Sequence, residues 1–490
     1  MFTQSTVIES FTCLLRSHLQ SVQRCNTTDS MPRRQPQSLY SACVVYVAAN
    51  MHVPCSENTS AISELPQTIS EDIVVALQRC QPVDYAVLCR VLGNLLRFVF
   101  LSRRLSPTEE IAYRMLSQLR QYGNKITALH LPLTEAQYDT FVTTLPSLRR
   151  LRNLVLHVND LTDSMAEAIT RHCPDLIILC LYGARYGNYL LDVITSDRTY
   201  VTHVDFHVVQ SMLERLGLRV FRISFLARAV LSLPATTRLQ LTELTIYKDL
   251  LDTPGTLSHV ITLCPNLRRM SLFLTDGIQI EPLARLAFLE DLTIIILNRD
   301  FSLDFSDVMQ QVLRCVGWRL KRLRLNVPVL DLTSVVRFCP ALHELHVKKL
   351  LQIVNHERSE TRSVEQLQAL RISLITPISL DPHRLCGLLQ DYGKLTRVFL
   401  HRCYLADFEL RELISSGTFS KLETFQLVEV YGFRPGSLQL LVRAQNNLVV
   451  IRLIRCPSVS LADVDELRVL ARRLNLSLGI EFGSLDDQRP

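Results

Sequence analysis

One apolar formula, Leu-x-x-Leu-x-Leu with apolar replacements, recurs through most of this 490-residue chain and restricts what it can fold into. Its copies begin with Ile126-x-x-Leu129-x-Leu131, Leu151-x-x-Leu154-x-Leu156, Leu176-x-x-Leu179-x-Leu181, Val201-x-x-Val204-x-Phe206 and Leu241-x-x-Leu244-x-Ile246. They continue with Leu267-x-x-Met270-x-Leu272, Leu289-x-x-Leu292-x-Ile294, Leu320-x-x-Leu323-x-Leu325, Leu342-x-x-Leu345-x-Val347 and Leu367-x-x-Leu370-x-Ile372. Leu395-x-x-Val398-x-Leu400, Leu422-x-x-Phe425-x-Leu427 and Leu448-x-x-Ile451-x-Leu453 complete the series. Central positions recur every 22 to 31 residues, apart from one interval of 40 between Val204 and Leu244, where Leu218-x-x-Phe221-x-Ile223 reads as a degenerate copy. Alternation within each copy is the period of a strand. The intervening segments, such as Asp163–His172, Phe305–Cys315 and Ala462–Leu474, have helical spacing. One strand and one helix cannot bury their apolar edge alone, so the units must stack. The expected fold is an α/β solenoid over residues 124–482, with a parallel concave sheet, convex helices and a short tail at 483–490. A compact parallel α/β enzyme domain is the alternative, but such folds do not repeat one strand formula so often.

Three copies follow a Cys-Pro pair: Cys173-Pro174, Cys264-Pro265 and Cys339-Pro340. With that feature the array over 126–480 resembles the cysteine-containing class of leucine-rich repeats, which implies a horseshoe-shaped stack.

Apolar residues make up 48% of the chain, yet no uninterrupted apolar run approaches the roughly 20 residues that span a bilayer. Met1–Gln20 lacks a basic leader and Glu9 interrupts its apolar stretch, so it makes a poor signal peptide. The expected location is cytoplasmic or nuclear, with no membrane partner. The 14 cysteines are scattered through periodic segments without a Cys-x-x-Cys pair, which favours buried reduced thiols over disulfides. The sequons at Asn26, Asn58 and Asn475 would then go unused. A net charge of +6, with basic and acidic residues interleaved, is too mild to argue for nucleic acid.

Motifs for bond chemistry are missing from the sequence: no phosphate-binding glycine loop, no His-Glu-x-x-His, no Gly-x-Ser-x-Gly and no zinc pattern. Gly183-Ala184-Arg185-Tyr186-Gly187 lacks phosphate-loop spacing. His172 beside Cys173 and His401 near Cys403 come nearest to a Cys-His pair, and each reads as an edge histidine next to a core thiol. The chain is therefore expected to be non-catalytic, with no cofactor and no metal. The single Trp318 is expected to pack against a repeat helix.

Side chains flanking the central apolar positions should point out of the core. In the later repeats these are Arg322, Arg324, His346, Lys348, Arg371, Arg397, His401 and Arg452, opposed mainly by Glu344. The earlier repeats show Asn153, Val155, His157, Tyr182, Glu243 and Asp291 instead. The later face is thus basic, and reads either as an ordinary solvated surface or as a site for acidic or phosphorylated client segments.

Ahead of the array, residues 1–37 read as a variable terminus with a short amphipathic stretch and a polar linker. Residues 38–123 read as a small all-helical module. Its first helix, at 38–51, places Leu39, Cys43 and Val47 on one face. Its second places Leu65 and Pro66 at the start and repeats Ile69, Ile73 and Leu77 at the same spacing. Asp84–Ser102 and Thr108–Tyr122 are also expected to be helical.

Ser38-Leu39-x-x-x-Cys43-x-x-x-Val47 resembles the BC box of cullin-RING ubiquitin ligase receptors, and Leu65-Pro66-x-x-Ile69-x-x-x-Ile73 resembles the adjoining cullin-2 box. The order of these parts is similar to the layout of Zyg and PRAME-like receptors. The resemblance implies that Leu39, Cys43 and Val47 contact elongin C, in complex with elongin B. It also implies that Leu65, Pro66, Ile69 and Ile73 contact cullin-2 with its RING subunit, and that the repeats present a client protein. Leu65-Pro66 through Leu77, followed by Leu88-Cys89-Arg90, also resembles an F-box, which would bind Skp1 through 65–90. A third reading is a scaffold without ligase function, in which both helices cap the open end of the stack.

Overall fold

The computed structural model describes residues 98–100, 109–183, 205–223, 226–246, 255–274, 279–296, 304–354, 366–374, 394–444 and 446–483, with isolated positions 250, 385 and 389. The chain forms two compact units, Met1–Ile126 and Thr127–Pro490.

In the first unit, helix α1 (Glu109–Tyr122) forms where the spacing predicts it and buries Met115, Leu116 and Leu119. Strand β1 (Phe98–Phe100) corrects one expectation, since it lies inside the segment 84–102 read as helical. Its Phe-Val-Phe run is aromatic and β-branched, and such residues lose rotamer freedom in a helix but suit a pleated strand. The described part of 38–123 is therefore not all helical.

The second unit is α/β, a leucine-rich-repeat stack of parallel strands and helices. Strands β2 (Ala128–Pro132), β3 (Asn153–Val158), β4 (Ile178–Gly183) and β5 (Val220–Arg222) pair in sequence order. A longer ladder follows. It contains β6 (Glu243–Ile246), β7 (Arg269–Leu274), β8 (Asp291–Ile296), β9 (Arg322–Asn326), β11 (Glu344–Leu350), β13 (Ala369–Leu374), β14 (Arg397–His401), β15 (Thr424–Val428), β16 (Val450–Ile454) and β17 (Gly479–Gly483). Two three-residue strands, β10 (Val329–Asp331) and β12 (Gln352–Val354), form a separate parallel pair.

The formula fixes the register. Leu129, Leu154, Leu179 and Phe221 are directly opposite one another, as are Leu244, Met270, Leu292, Leu323, Leu345, Leu370, Val398, Phe425, Ile451 and Ile480. All of these side chains are buried. A slip of one residue would turn each of them to solvent, so burial enforces the alignment. The final strand carries only part of the formula, because Ser477 stands where the first leucine would be.

Helices end where the sequence says they must. Cys173, Cys264 and Cys339 are the C-caps of Asp163–His172, Thr256–Leu263 and Leu332–Phe338, with nearly identical backbone angles (φ −122°, −120° and −119°; ψ 58°, 64° and 59°). A residue before proline cannot sit comfortably in the helical region, so Cys-Pro stops each helix at the same point. The freed thiols point into the core, and burial pushes all three up to about 12.

Two further expectations are corrected. Phe206, read as the last apolar position of the Val201 copy, opens helix Phe206–Arg215, whose N-cap Asp205 accepts a hydrogen bond from the His207 N–H at 2.8 Å. Val209, Met212 and Leu213 form its buried face, and that helical spacing overrides the resemblance to a strand formula. The degenerate copy is the real strand, β5, with Leu218, Phe221 and Ile223 buried. Trp318 does not pack against a helix: it is 62% exposed in the turn Gly317–Arg319, with the Arg319 guanidinium 4.8 Å from its ring centre.

Candidate functional site: the helix-free sheet face

Because strands stack in register, each outward position forms a row across the sheet. The first row of the long ladder runs Glu243, Arg269, Asp291, Arg322, Glu344, Ala369, Arg397, an alternation of charge set by one residue per repeat. The next row runs Thr245, Ser271, Thr293, Arg324, His346, Arg371, Phe399, Gln426, Arg452, Glu481.

The early repeats carry a polar chain. His130 and His157 share a hydrogen bond between their Nε2 atoms at 2.5 Å, and His157 stacks on Tyr182 with ring centres 5.2 Å apart. The Arg222 guanidinium donates to the Tyr182 hydroxyl at 3.3 Å and makes two hydrogen bonds to the Glu243 carboxylate. Arg269 lies 3.6 Å from Glu243 and 3.9 Å from Asp291. Asp291 is the node of the face: its side chain is 3% exposed, with Arg322 and Arg324 each 3.5 Å away. Burial raises its carboxyl above the usual range, and the three arginines offset this only in part.

The sequence-predicted cations fall into two groups. Arg322 and Arg324 share Asp291, Arg397 meets Glu344 at 2.7 Å, and Arg452 meets Glu481 at 2.6 Å. His401 accepts or donates a hydrogen bond with the Ser373 hydroxyl at 2.7 Å and lies 3.9 Å from Glu429. Glu429 also bridges Arg402 at 2.8 Å and Arg455 at 3.3 Å. Burial alone would raise its carboxyl, but the Arg402 hydrogen bond and the surrounding cations hold it below the usual range.

Arg371 and His346 form the second group. Among the described residues, no carboxylate lies within ion-pair distance of either. Arg371 instead places its guanidinium 4.0 Å from the centre of the Phe399 ring. Burial, with Arg324 adding repulsion, lowers its affinity for a proton. His346, between Arg324 and Arg371 in the row, is pushed down to about 2 by burial and by Arg371, Lys348 and Arg324, so it is neutral. Lys348 lies one outward position further along β11.

Several members of this face escape sequence reading. Phe399 is readable only as an aromatic between two core positions, and Arg222 belongs to the degenerate copy. Glu429 and Arg455 sit beyond their strands at positive φ (51° each), where no strand pattern applies. Leu39, Cys43, Val47, Leu65, Pro66, Ile69 and Ile73 lie outside the described residues.

Among the described residues, the Cys-His neighbours do not pair through their side chains. The Cys403 thiol donates to the His401 carbonyl at 3.4 Å, not to its ring, and burial pushes it up to about 12. Among the described residues, no group of three or more His, Cys, Asp or Glu could hold a metal ion, and no helix is long and apolar enough to cross a membrane.

No family model and no curated protein matches the chain. Among solved structures, a chain of the yeast Rad7–Elc1 complex aligns with a TM-score of 0.42 and 12% identity, over 99% of this chain and 94% of that one. The leucine-rich repeat-containing protein LegL7 of Legionella pneumophila gives 0.31 and 11%, over 58% and 86%. A chain of the TLR13–ssRNA13 complex gives 0.30 and 15%, over 73% and 50%.

Proposed function

We propose that this chain is a non-catalytic substrate-recognition subunit of a cullin-RING ubiquitin ligase, acting in the cytoplasm or nucleus. The helix at 38–51 binds elongin C through Leu39, Cys43 and Val47, and Leu65, Pro66, Ile69 and Ile73 engage cullin-2. The repeat face holds the client. Support comes from one juxtaposition: an adaptor-type motif precedes a repeat stack whose helix-free face presents Arg371 and His346 without carboxylate partners among the described residues. An adaptor helix needs one large anchor to fill a pocket and a small residue at the closest approach, which are the roles of Leu39 and Cys43. Burying Leu39 contributes about 1.5–3 kcal/mol.

Affinity purification of the intact chain tests this reading. Elongins B and C with cullin-2 are expected partners, and Leu39→Ser should abolish their recovery while thermal unfolding stays unchanged. Recovery of Skp1 with cullin-1 would instead make 65–90 an F-box. Recovery of neither would favour a scaffold.

A further inference from the structure

We propose that Arg324, His346 and Arg371, supported by Lys348, hold a phosphorylated serine or threonine of the client segment. This rests on the reading of the sheet face as the client site, and names the chemistry that the site selects.

The argument begins with neutralisation. On one flank, Asp291 answers Arg322 and Arg324; on the other, Glu429 and Glu481 answer Arg402, Arg455 and Arg452, while Glu344 in the neighbouring row is taken by Arg397. Between them Arg371 has no carboxylate partner among the described residues, and its planar group is braced by Phe399. Asp291 carries more cations than one carboxylate can satisfy, so Arg324 retains capacity for a second anion. Arg324, His346 and Arg371 occupy one register row on adjacent strands, β9, β11 and β13. At about 4.8 Å between strands the row spans roughly 10 Å, the reach of one tetrahedral anion and the side chains around it.

The chemistry favours phosphate over carboxylate. A phosphorylated hydroxyl carries about −1.5 to −2 charge and three strong acceptor oxygens, which matches the two guanidinium forks of Arg324 and Arg371. His346 lies beside them, and its imidazole can donate one more hydrogen bond from the neutral state. A polyanion fits less well. A nucleic-acid backbone crossing this island would meet Asp291 on one side and Glu429 and Glu481 on the other.

The test uses the purified full chain and a fluorescent peptide pool with phosphoserine fixed at the centre and random flanks, read by anisotropy. The phosphorylated pool should bind, the same pool treated with phosphatase should bind roughly ten- to a hundredfold more weakly, and salt should weaken the former. Arg371→Ala and Arg324→Ala should each remove most of that preference, while Arg452→Ala, whose partner is Glu481, should leave it intact. Arg371→Lys keeps charge but loses the fork, and guards against a folding artefact: it should retain the melting transition and still lose affinity. Equal binding of both pools, tighter binding of single-stranded DNA of the same label, or indifference to Arg371→Ala and Arg371→Lys would overturn the proposal. Because no adaptor is present, a phosphate preference without elongin recovery would sink the ligase reading alone, and elongin recovery without the preference would sink this one.

Discussion

His346 shows how a single side chain on this face can make stability depend on pH. Burial and three nearby cations push its imidazole from 6.5 down to about 2, so the folded protein refuses a proton that the unfolded chain accepts. Its contribution is therefore intact above about pH 6.5 and is lost progressively as pH falls toward 2. His401 shifts the same way, through burial first and then Arg402, with Glu429 pulling against them. One refused proton gives a slope of at most about 1.4 kcal/mol per pH unit, reduced here because the ring is partly exposed. Denaturant unfolding at pH 7 and pH 5 should show His346→Gln losing less stability than the parent chain, with a residual slope from His401. An unchanged slope would mean that His346 takes up its proton freely in the folded state. Phe399 is one of the residues on this face that sequence reading misses, because an aromatic at an outward strand position has no distinguishing pattern. Its role exists only once Arg371 stands beside it.

At the scale of the element, each repeat is set by where its helix stops and how closely the next one approaches. Gly317 opens the turn after helix Asp304–Val316, and a Cβ there would lie 2.6 Å from the Phe338 carbonyl oxygen and 3.0 Å from the Cys339 sulfur. Backbone oxygen cannot move away without shifting the neighbouring helix end. Gly317→Ala should therefore cost about 1–3 kcal/mol. Gly436, inside helix Pro435–Arg443, offers the contrast, since its nearest such atom is the Arg411 Nη2 at 3.7 Å. Gly436→Ala should be neutral or stabilise by up to about 1 kcal/mol through helix propensity. Thermal melts of the two variants check the pair, and equal losses would show that the close approach at Gly317 does not matter. The helix stops themselves are legible, because proline acts on its immediate neighbour. The close approach at Gly317 is not, because its partners are supplied by the following repeat.

Within the second unit, the described strands part at a weak seam between β5 and β6. At the other strand junctions up to β16 two successive N–H groups converge on the carbonyl of the residue just before the preceding strand, as Arg268 and Arg269 do on Thr242. Between β5 and β6 only the Thr242 N–H reaches the Arg219 carbonyl, at 2.7 Å, joined by the Thr242 hydroxyl at 3.0 Å. The strands on either side belong to separate hydrogen-bonded ladders. Arg222 and Glu243 bridge that seam, and the Glu243 side chain is only 12% exposed. Glu243→Ala should strand the half-buried Arg222 charge and destabilise the junction by about 1–3 kcal/mol. Because repeat stacks unfold by neighbouring units, hydrogen exchange should speed up first in β5 and β6 while β14–β16 keep their protection. Uniform acceleration would show that the ladder behaves as one cooperative block.

The sequence by itself determined the stack: its leucine formula dictates parallel strands, their register and the buried row, because alternation and burial are local in period and repeat without exception for most of the array. It also placed Arg322, Arg324, Arg371, Arg397 and Arg452 at outward strand positions, since outward positions follow directly from inward ones, but not Arg222 or Arg455, which lie in a degenerate copy and beyond a strand end. Only the tertiary structure decided which of those cations are already answered. Ion pairing joins residues about 20 to 50 positions apart, such as Arg222 with Glu243 and Arg397 with Glu344, and depends on side-chain reach between strands rather than on spacing within one. The same dependence placed Phe206 of the Val201 copy at the start of a helix and made the degenerate copy at Leu218 the true strand, because packing against neighbours, not the match to a pattern, selects which apolar segment is buried as a strand.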